Sequence, residues 1–268
     1  LKDEPPQLDY YMAVIDMEEY LKNADSVDYY VVRATEIFPD DPKLYIRKAN
    51  RQYVKGDLNA TVESFKHALT LTSDSLMQGE IWGFIGDTYH AMAERRTAQL
   101  KAKIKRDTSA YPVKLKPQKA QELCYAAYDN ALRLNGDNAS VLNNYAYFLS
   151  EEERDLGKAL EMSSKAIKLT QNNPTFLDTH AWILYLLDRK EEARTFMRQA
   201  LSLDSEGNST LQLHYGDILF ALGEKFMAET YWKRALEAGA DKAEVERRLE
   251  YSKKNASGVK IHNGEPKK

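Results

Sequence analysis

The stretch that decides the fold is AWILYLLDRKEEARTFMRQAL, residues 181–201. It reads as two short amphipathic helices joined by a charged turn, with small side chains at Ala181, Ala193 and Ala200 among bulky ones. Two antiparallel helices cross closely only where one offers a small side chain to a large one on the other, because protein interiors are packed as densely as crystals. The stretch therefore predicts a tight helical hairpin, in which leucine at Ala193 or Ala200 would push the helices apart.

The same pattern of small residues recurs along the chain at intervals of 34, 63, 35, 34 and 35 residues. One register holds Ala34, Ala68, Ala131, Ala166, Ala200 and Ala235. A second register, seven residues earlier, holds Val27, Thr61, Cys124, Ala159, Ala193 and Ala228. A third register holds Ile15, Ala49, Gly86, Ala146, Ala181 and Gly216. A repeated segment of about 34 residues predicts an array of helical hairpins, each packed on its neighbours.

The letters around the small residues resemble those of the tetratricopeptide repeat. Trp82, Ile85, Gly86 and Tyr89 match the first half of that motif, and Ala228, Trp232 and Ala235 match the second half. The resemblance implies an all-α fold, a right-handed α-solenoid of stacked helix-turn-helix hairpins, in a single domain over 1–255. The repeats would cover about 8–41, 42–78, 79–138, 139–173, 174–207 and 208–241, followed by a capping helix at 242–255 and a flexible tail at 256–268. The capping helix is expected to turn Ala243, Val245, Leu249 and Tyr251 inward.

The composition excludes several classes of function. The 268 residues carry a net charge of only −3, so the chain as a whole does not attract nucleic acid or anionic lipid. The longest apolar run, 181–187, is too short to cross a bilayer, so no transmembrane segment is predicted. The chain opens on Leu1 instead of methionine, which predicts that residues upstream have been removed, or that the chain is a piece of a longer one.

One repeat carries an insertion of about 26 residues, because one interval is 63 instead of 34. Residues 92–117 hold eight basic and two acidic side chains, and the apolar residues at helical spacing predict that the preceding helix continues to about Arg106. The basic residues of this extension are Arg95, Arg96, Lys101, Lys103, Lys105 and Arg106. Three interpretations stay open: a solvated helix, a docking element for an acidic partner or a second copy, and a contact with nucleic acid or membrane. A basic helix without interleaved aromatic residues argues against the third.

The resemblance also implies which side chains line a concave groove, since the first helix of each hairpin lines it in the family. The predicted groove residues are Asn50, Tyr53, Asp87, His90, Asn143, Tyr147, Asp178, Trp182, Tyr185, Asp217 and Phe220. Aromatic side chains flanked by carboxylates suit a partner segment with apolar and basic side chains. The alternative is that Trp182 and Tyr185 pack into the neighbouring repeat.

The sequence offers no catalytic motif, no metal-ligand spacing and no glycine-rich phosphate loop, so neither an enzyme nor a cofactor is expected. We therefore expect a non-enzymatic scaffold that binds another protein or peptide segment in the groove. A homo-oligomer docked through the basic extension is the alternative. The resemblance to bacterial repeat proteins favours an exported protein of the cell envelope.

Overall fold

The computed structural model describes residues 6–106, 119–171, 173–205, 207–255, 258, 261, 262, 265 and 266. Within these ranges the chain forms thirteen α-helices and two strands of two residues each. The chain divides into two compact units, Leu1–Asn138 and Ala139–Lys268, which are called unit 1 and unit 2. None of the described helices is both long and apolar enough to cross a membrane.

Unit 1 consists of three helical hairpins. Its helices are α1 (Leu8–Tyr20), α2 (Ala24–Ile37), α3 (Pro42–Val54), α4 (Leu58–Thr70), α5 (Ser75–Arg106) and α6 (Lys119–Leu134). The helices pack in consecutive pairs, and the second helix of a pair also packs on the first helix of the next. Aspartates define several helix starts: Asp41 accepts hydrogen bonds from the N–H groups of Lys43 and Leu44, and Asp57 accepts one from Ala60. Helix α5 runs to Arg106, as its apolar spacing predicts.

Unit 2 repeats this arrangement and ends in a single helix. Its elements are α7 (Ala139–Glu151), α8 (Leu156–Thr170), α9 (Pro174–Leu186), α10 (Lys190–Leu203), α11 (Ser209–Ala221), α12 (Lys225–Glu237), α13 (Lys242–Lys254), β1 (Ile261–His262) and β2 (Glu265–Pro266). Strands β1 and β2 pair antiparallel, inside the stretch predicted to be a flexible tail. The prediction of an all-α array of helical hairpins is thus confirmed, with this short strand pair as an addition that the periodicity did not indicate.

The small residues lie where the helices of a hairpin cross. A Cβ atom added to Gly86 would stand 2.4 Å from the ring of Tyr128, and one added to Gly216 would stand 2.4 Å from the indole of Trp232. Ala193 and Ala200, from the stretch quoted first, are both fully buried. The periodic small side chains therefore make room for large ones on the facing helix, as the sequence predicts.

Substituting alanine at Gly216 tests this packing rule. We expect Gly216→Ala to lower the free energy of unfolding by about 1–2 kcal/mol, because overpacking exceeds the gain in helix propensity. Urea denaturation measures the change. Gly157→Ala is the matched control, since a Cβ there meets no atom within 4 Å and the helix gains propensity. Equal or greater stability of Gly216→Ala would show that the crossing has spare room.

The single domain over 1–255 stays a prediction. Helix α13, by contrast, turns differently from the sequence-based expectation. Ala243 is exposed, while Arg248 is buried with Val245 on the inner face.

Candidate functional site

The predicted groove residues of unit 2 lie mostly inside the protein. Trp182 is 1% exposed, and Tyr185 and Phe220 are fully buried. The prediction that these aromatic side chains offer an open surface is therefore wrong for this unit. The physical reason is the next hairpin: His214 on α11 stacks on the Trp182 indole, with 4.2 Å between ring centroids, and Trp182 stacks on Tyr185 at 4.9 Å.

Asp178 is paired with His214 of the next hairpin instead of facing solvent. Its carboxylate lies 2.8 Å from Nδ1 of His214, and both side chains are almost completely buried. Burial by itself lowers the pKa of His214, but the Asp178 carboxylate raises it above its ordinary value of 6.5. The Asp178 carboxylate therefore favours the protonated form of the imidazole, which stacks on Trp182.

Asp217 anchors the capping helix. One carboxylate oxygen accepts hydrogen bonds from Nε1 of Trp232 at 2.9 Å and from Nε of Arg248 at 2.8 Å, and the other accepts from Nη2 of Arg248 at 2.9 Å. Arg248 also donates through Nη1 to Glu244 at 2.9 Å. Asp217, predicted to line the groove, is thus fully buried and is occupied in binding α13 to the last hairpin.

Sequence reasoning missed Arg248, although two signals point to it. Asp217 stands in the largely apolar helix LQLHYGDILFA and needs a buried cation or donor. Arg248 follows Val245 by three residues, so the two share a face of α13.

The two remaining groove residues of unit 2 differ in exposure. Tyr147 is half-buried and lies edge-on to Phe148, with 5.7 Å between the ring centroids. Asn143 is 4% exposed. Its Nδ2 donates to Asn144 at 3.5 Å, and its Oδ1 has no hydrogen-bond partner among the described residues.

The predicted groove residues of unit 1 are more accessible. On α3, Asn50 is exposed and Tyr53 is 43% exposed. On α5, Asp87 and His90 are half-buried, and His90 Nε2 lies 3.6 Å from a carboxylate oxygen of Glu94. Partial burial raises the pKa of Tyr53, and the negative charges of Asp87 and Glu94 raise it further.

Asp87 has a partner of its own in the core of unit 1. The hydroxyl of Tyr128 on α6 donates to Asp87 at 2.5 Å. Burial raises the pKa of Tyr128, and the charge of Asp87 raises it further, so the hydroxyl keeps its proton and donates. We call the accessible group Asn50, Tyr53, Asp87, His90 and Glu94 the unit 1 surface.

The basic extension begins beside a separate polar cavity. Arg95 and Arg96 are exposed, and Nη1 of Arg95 donates to the backbone oxygen of Gly56 at 3.1 Å. The cavity, of about 450 Å³, lies between this part of α5 and the turn before α4. Lys101, Lys103, Lys105 and Arg106 belong to α5, but their side chains and the rest of the insertion, 107–117, lie outside the described residues.

Comparison with known proteins agrees with this architecture. Residues 176–206 match the family model of the tetratricopeptide repeat. A TPR repeat-containing protein of Pseudomonas aeruginosa is 38% identical over 65 residues, which are 24% of this chain and 11% of that protein. The chain thus spans about a tenth of the length of this relative.

Solved structures share the fold at low sequence identity. A chain of the APC/C hetero-tetramer Cut9–Hcn1 has a TM-score of 0.73 at 12% identity, covering 94% of this chain and 43% of that one. YrrB, described as a TPR protein with an unusual peptide-binding site, has a TM-score of 0.55 at 15% identity, covering 82% of this chain and 97% of that one. The matched repeat, the helical pairs and these likenesses agree: the chain contains a tetratricopeptide repeat and has the fold of tetratricopeptide-repeat proteins.

Proposed function

We propose that the chain is a non-enzymatic scaffold whose unit 1 surface binds a protein segment carrying apolar and basic side chains. Proteins of tetratricopeptide-repeat fold act as protein-interaction scaffolds, which supports the general role. The single observation that supports this location is Tyr53, an aromatic ring that is 43% exposed and within the electrostatic influence of Asp87 and Glu94.

The unit 1 surface combines an aromatic contact with negative charge. Asn50 and Tyr53 are three residues apart on α3, so they share one face. On α5, the Glu94 side chain is 70% exposed, so a cation can reach it from solvent, although His90, which is 18% exposed, lies 3.6 Å from its carboxylate. A lysine or arginine of the partner can pair with Glu94 and lie over the Tyr53 ring, and an apolar neighbour can cover the rest of that ring.

Selection of peptides from a random library, displayed on phage and presented to the full chain, tests this proposal. We expect the selected peptides to combine lysine or arginine with apolar residues, and to bind more weakly at high salt. The double variant Tyr53→Ala, Glu94→Gln should bind a selected peptide at least about tenfold more weakly, equivalent to about 1.4 kcal/mol.

The matched control is Phe226→Ala, Glu246→Gln, an exposed aromatic and carboxylate pair in unit 2. This control should retain the Kd, and circular dichroism should show equal helicity in both double variants. Selection of acidic peptides, or equal Kd values for the two variants, would contradict the proposed surface.

The length of α5 favours a second candidate, self-assembly through the basic extension. The helix has 32 residues, against 13 for α3, and its charged end offers a docking element for an acidic surface of another copy. Light scattering should then show oligomers that dissociate as salt rises and that Arg95→Glu, Arg96→Glu abolishes. Oligomers that persist in the double variant would eliminate this candidate.

A further inference from the structure

The added part of α5 forms one wall of the polar cavity beside Gly56. The helices α1, α3, α7, α9 and α11 each end five residues after their member of the third register, whereas α5 ends twenty residues after Gly86. The α5 residues that line the cavity all lie in this added part and are spaced as one face of a helix: Met92, Arg95, Arg96 and Gln99. The cavity is therefore a consequence of the insertion.

The facing wall is the turn between α3 and α4, which includes Lys55, Gly56 and Asn59. Nη1 of Arg95 donates to the backbone oxygen of Gly56 at 3.1 Å, so this contact joins the two walls. A guanidinium has five N–H donors, and the contact fixes its position while using one of them. Arg95 is therefore held in place for a ligand that brings acceptor oxygens.

Positive charge predominates around the cavity. Its lining holds three basic side chains, Lys55, Arg95 and Arg96, and one acidic side chain, Asp57. The Asp57 carboxylate accepts a hydrogen bond from the N–H of Ala60 at 3.1 Å, at the start of α4. The lining thus carries an excess of two positive charges, in a chain whose net charge is −3.

Lys55 can turn to a ligand without leaving its carboxylate partner unpaired. The Lys55 side chain is 57% exposed and its Nζ lies 2.7 Å from Asp28. The same carboxylate also accepts a hydrogen bond from Nε of Arg51 at 2.7 Å. Because Asp28 keeps Arg51, moving the Lys55 ammonium toward a bound anion leaves no carboxylate without a cation.

We propose that this cavity binds a phosphate monoester. Such a group carries a charge of about −1.5 to −2 at pH 7, which matches the excess of two positive charges, whereas one carboxylate supplies a single charge. Arg95 and Arg96 can each present a fork of donors to its oxygens, and Lys55 adds a compact charge. The volume of about 450 Å³ exceeds that of the phosphate, so the organic part can lie along Met92 and Leu58, both half-buried.

The lining argues against a nucleic acid as the source of the phosphate. Among the described residues, those that line the cavity include no aromatic ring on which a base could stack. A phosphate diester also carries one negative charge instead of two. The charge and the lining together favour a terminal phosphate on a small molecule or on a protein side chain.

This proposal does not depend on the unit 1 surface. Glu94 precedes Arg95 by one position, and consecutive side chains of an α-helix point about 100° apart. The variant Tyr53→Ala, Glu94→Gln should therefore still bind a phosphate monoester, and the failure of either proposal leaves the other standing.

Isothermal titration calorimetry of the full chain with O-phosphoserine tests the proposal. We expect a single site with a Kd below about 1 mM at about 50 mM sodium chloride, and weaker binding as salt rises. Inorganic phosphate should bind at least about threefold more weakly, because it makes no contact through an organic part. Equal Kd values for the two probes would indicate an adventitious ion only and would overturn the proposal, as would the absence of binding.

A double variant assigns the binding to the cavity. Arg95→Gln, Arg96→Gln should raise the Kd for O-phosphoserine at least about tenfold, because it removes both guanidinium groups. The matched control is Arg247→Gln, Lys253→Gln, which removes two exposed cations of α13 and changes the net charge equally. This control should retain the Kd, and circular dichroism should show equal helicity in both variants. Equal Kd values for the two double variants would refute the site.

Fluorescence anisotropy with labelled pentapeptides distinguishes the sources of the phosphate. The probes are Gly-Ala-Ser-Ala-Gly with phosphorylated serine and the same peptide with glutamate in place of serine. A phosphopeptide that binds more tightly than O-phosphoserine identifies a phosphorylated protein segment, and one that binds equally or more weakly identifies a free ester; both support the proposal. A glutamate peptide that binds as tightly as the phosphopeptide would overturn it, because the site would then recognise any acidic segment.

Discussion

Replacing Arg248 by methionine is expected to lower the free energy of unfolding of unit 2 by about 3–5 kcal/mol. The guanidinium is 2% exposed and donates twice to Asp217, which is fully buried. Methionine fills most of the space but donates no hydrogen bond. Of the donors in this network, the Asp217 carboxylate then keeps the Trp232 N–H. A buried charge that loses its counter-ion costs far more than an exposed ion pair contributes.

Urea denaturation, followed by the fluorescence of Trp182 and Trp232 in a Trp82→Phe background, measures this loss. Arg247→Met is the matched control, because Arg247 is exposed on the neighbouring position and its removal should change stability by less than about 0.5 kcal/mol. The double variant Asp217→Leu, Arg248→Met should regain part of the stability, since neither charge is then buried alone. Similar losses for Arg247→Met and Arg248→Met would refute the anchoring role of the pair.

Lowering the pH from about 6.5 to 4 is expected to lower the free energy of unfolding of unit 2 by about 2–3 kcal/mol, because His180 is protonated more readily in the unfolded chain. The pKa of His180 is lowered from its ordinary value of 6.5 to about 4, mainly by burial and also by the nearby Arg189, while Glu192 opposes the shift. The unfolded chain therefore takes up a proton in this range before the folded chain does, so stability falls as pH falls. Inside the fold, Nδ1 of the neutral ring lies 2.9 Å from the hydroxyl of Ser163.

Comparing wild type with His180→Gln isolates this contribution. The difference in unfolding free energy between the two proteins should shrink as pH falls from about 6.5 to 4, while carboxylates affect both proteins alike. A difference that stays constant across this range would show that His180 is already protonated in the fold, or equally solvated in both states.

His214 should make stability depend on pH in the opposite sense to His180. Burial lowers its pKa, but the charge and hydrogen bond of Asp178, together with the charges of Asp217 and Glu151, raise the pKa above 6.5. Its contribution to stability is therefore complete below about pH 6.5 and is lost as pH rises through the raised pKa. His214→Gln should flatten the alkaline side of the stability profile, just as His180→Gln flattens the acidic side.

The candidate site shows where sequence reasoning reached its limit. The spacing of Trp182, Tyr185 and Asp178 correctly placed them on one face of a helix, but it did not reveal that His214 of the next hairpin covers that face. At the same register in unit 1, Tyr53 is 43% exposed, and its place in a groove stays a prediction. Register determines where a side chain points, and only the neighbouring hairpin determines whether solvent reaches it.

By itself, the sequence determined the all-α array of helical hairpins, the places where the helices cross and the length of α5. Close crossing needs small side chains at a fixed period, so the requirement is local and can be read from the letters. Only the tertiary structure decided which polar side chains are buried as partners, such as Asp217 with Arg248, and which apolar ones stay exposed, such as Tyr10 and Met17. Burial is a property of two surfaces in contact, and the residues that form the second surface lie some 30 positions away along the chain.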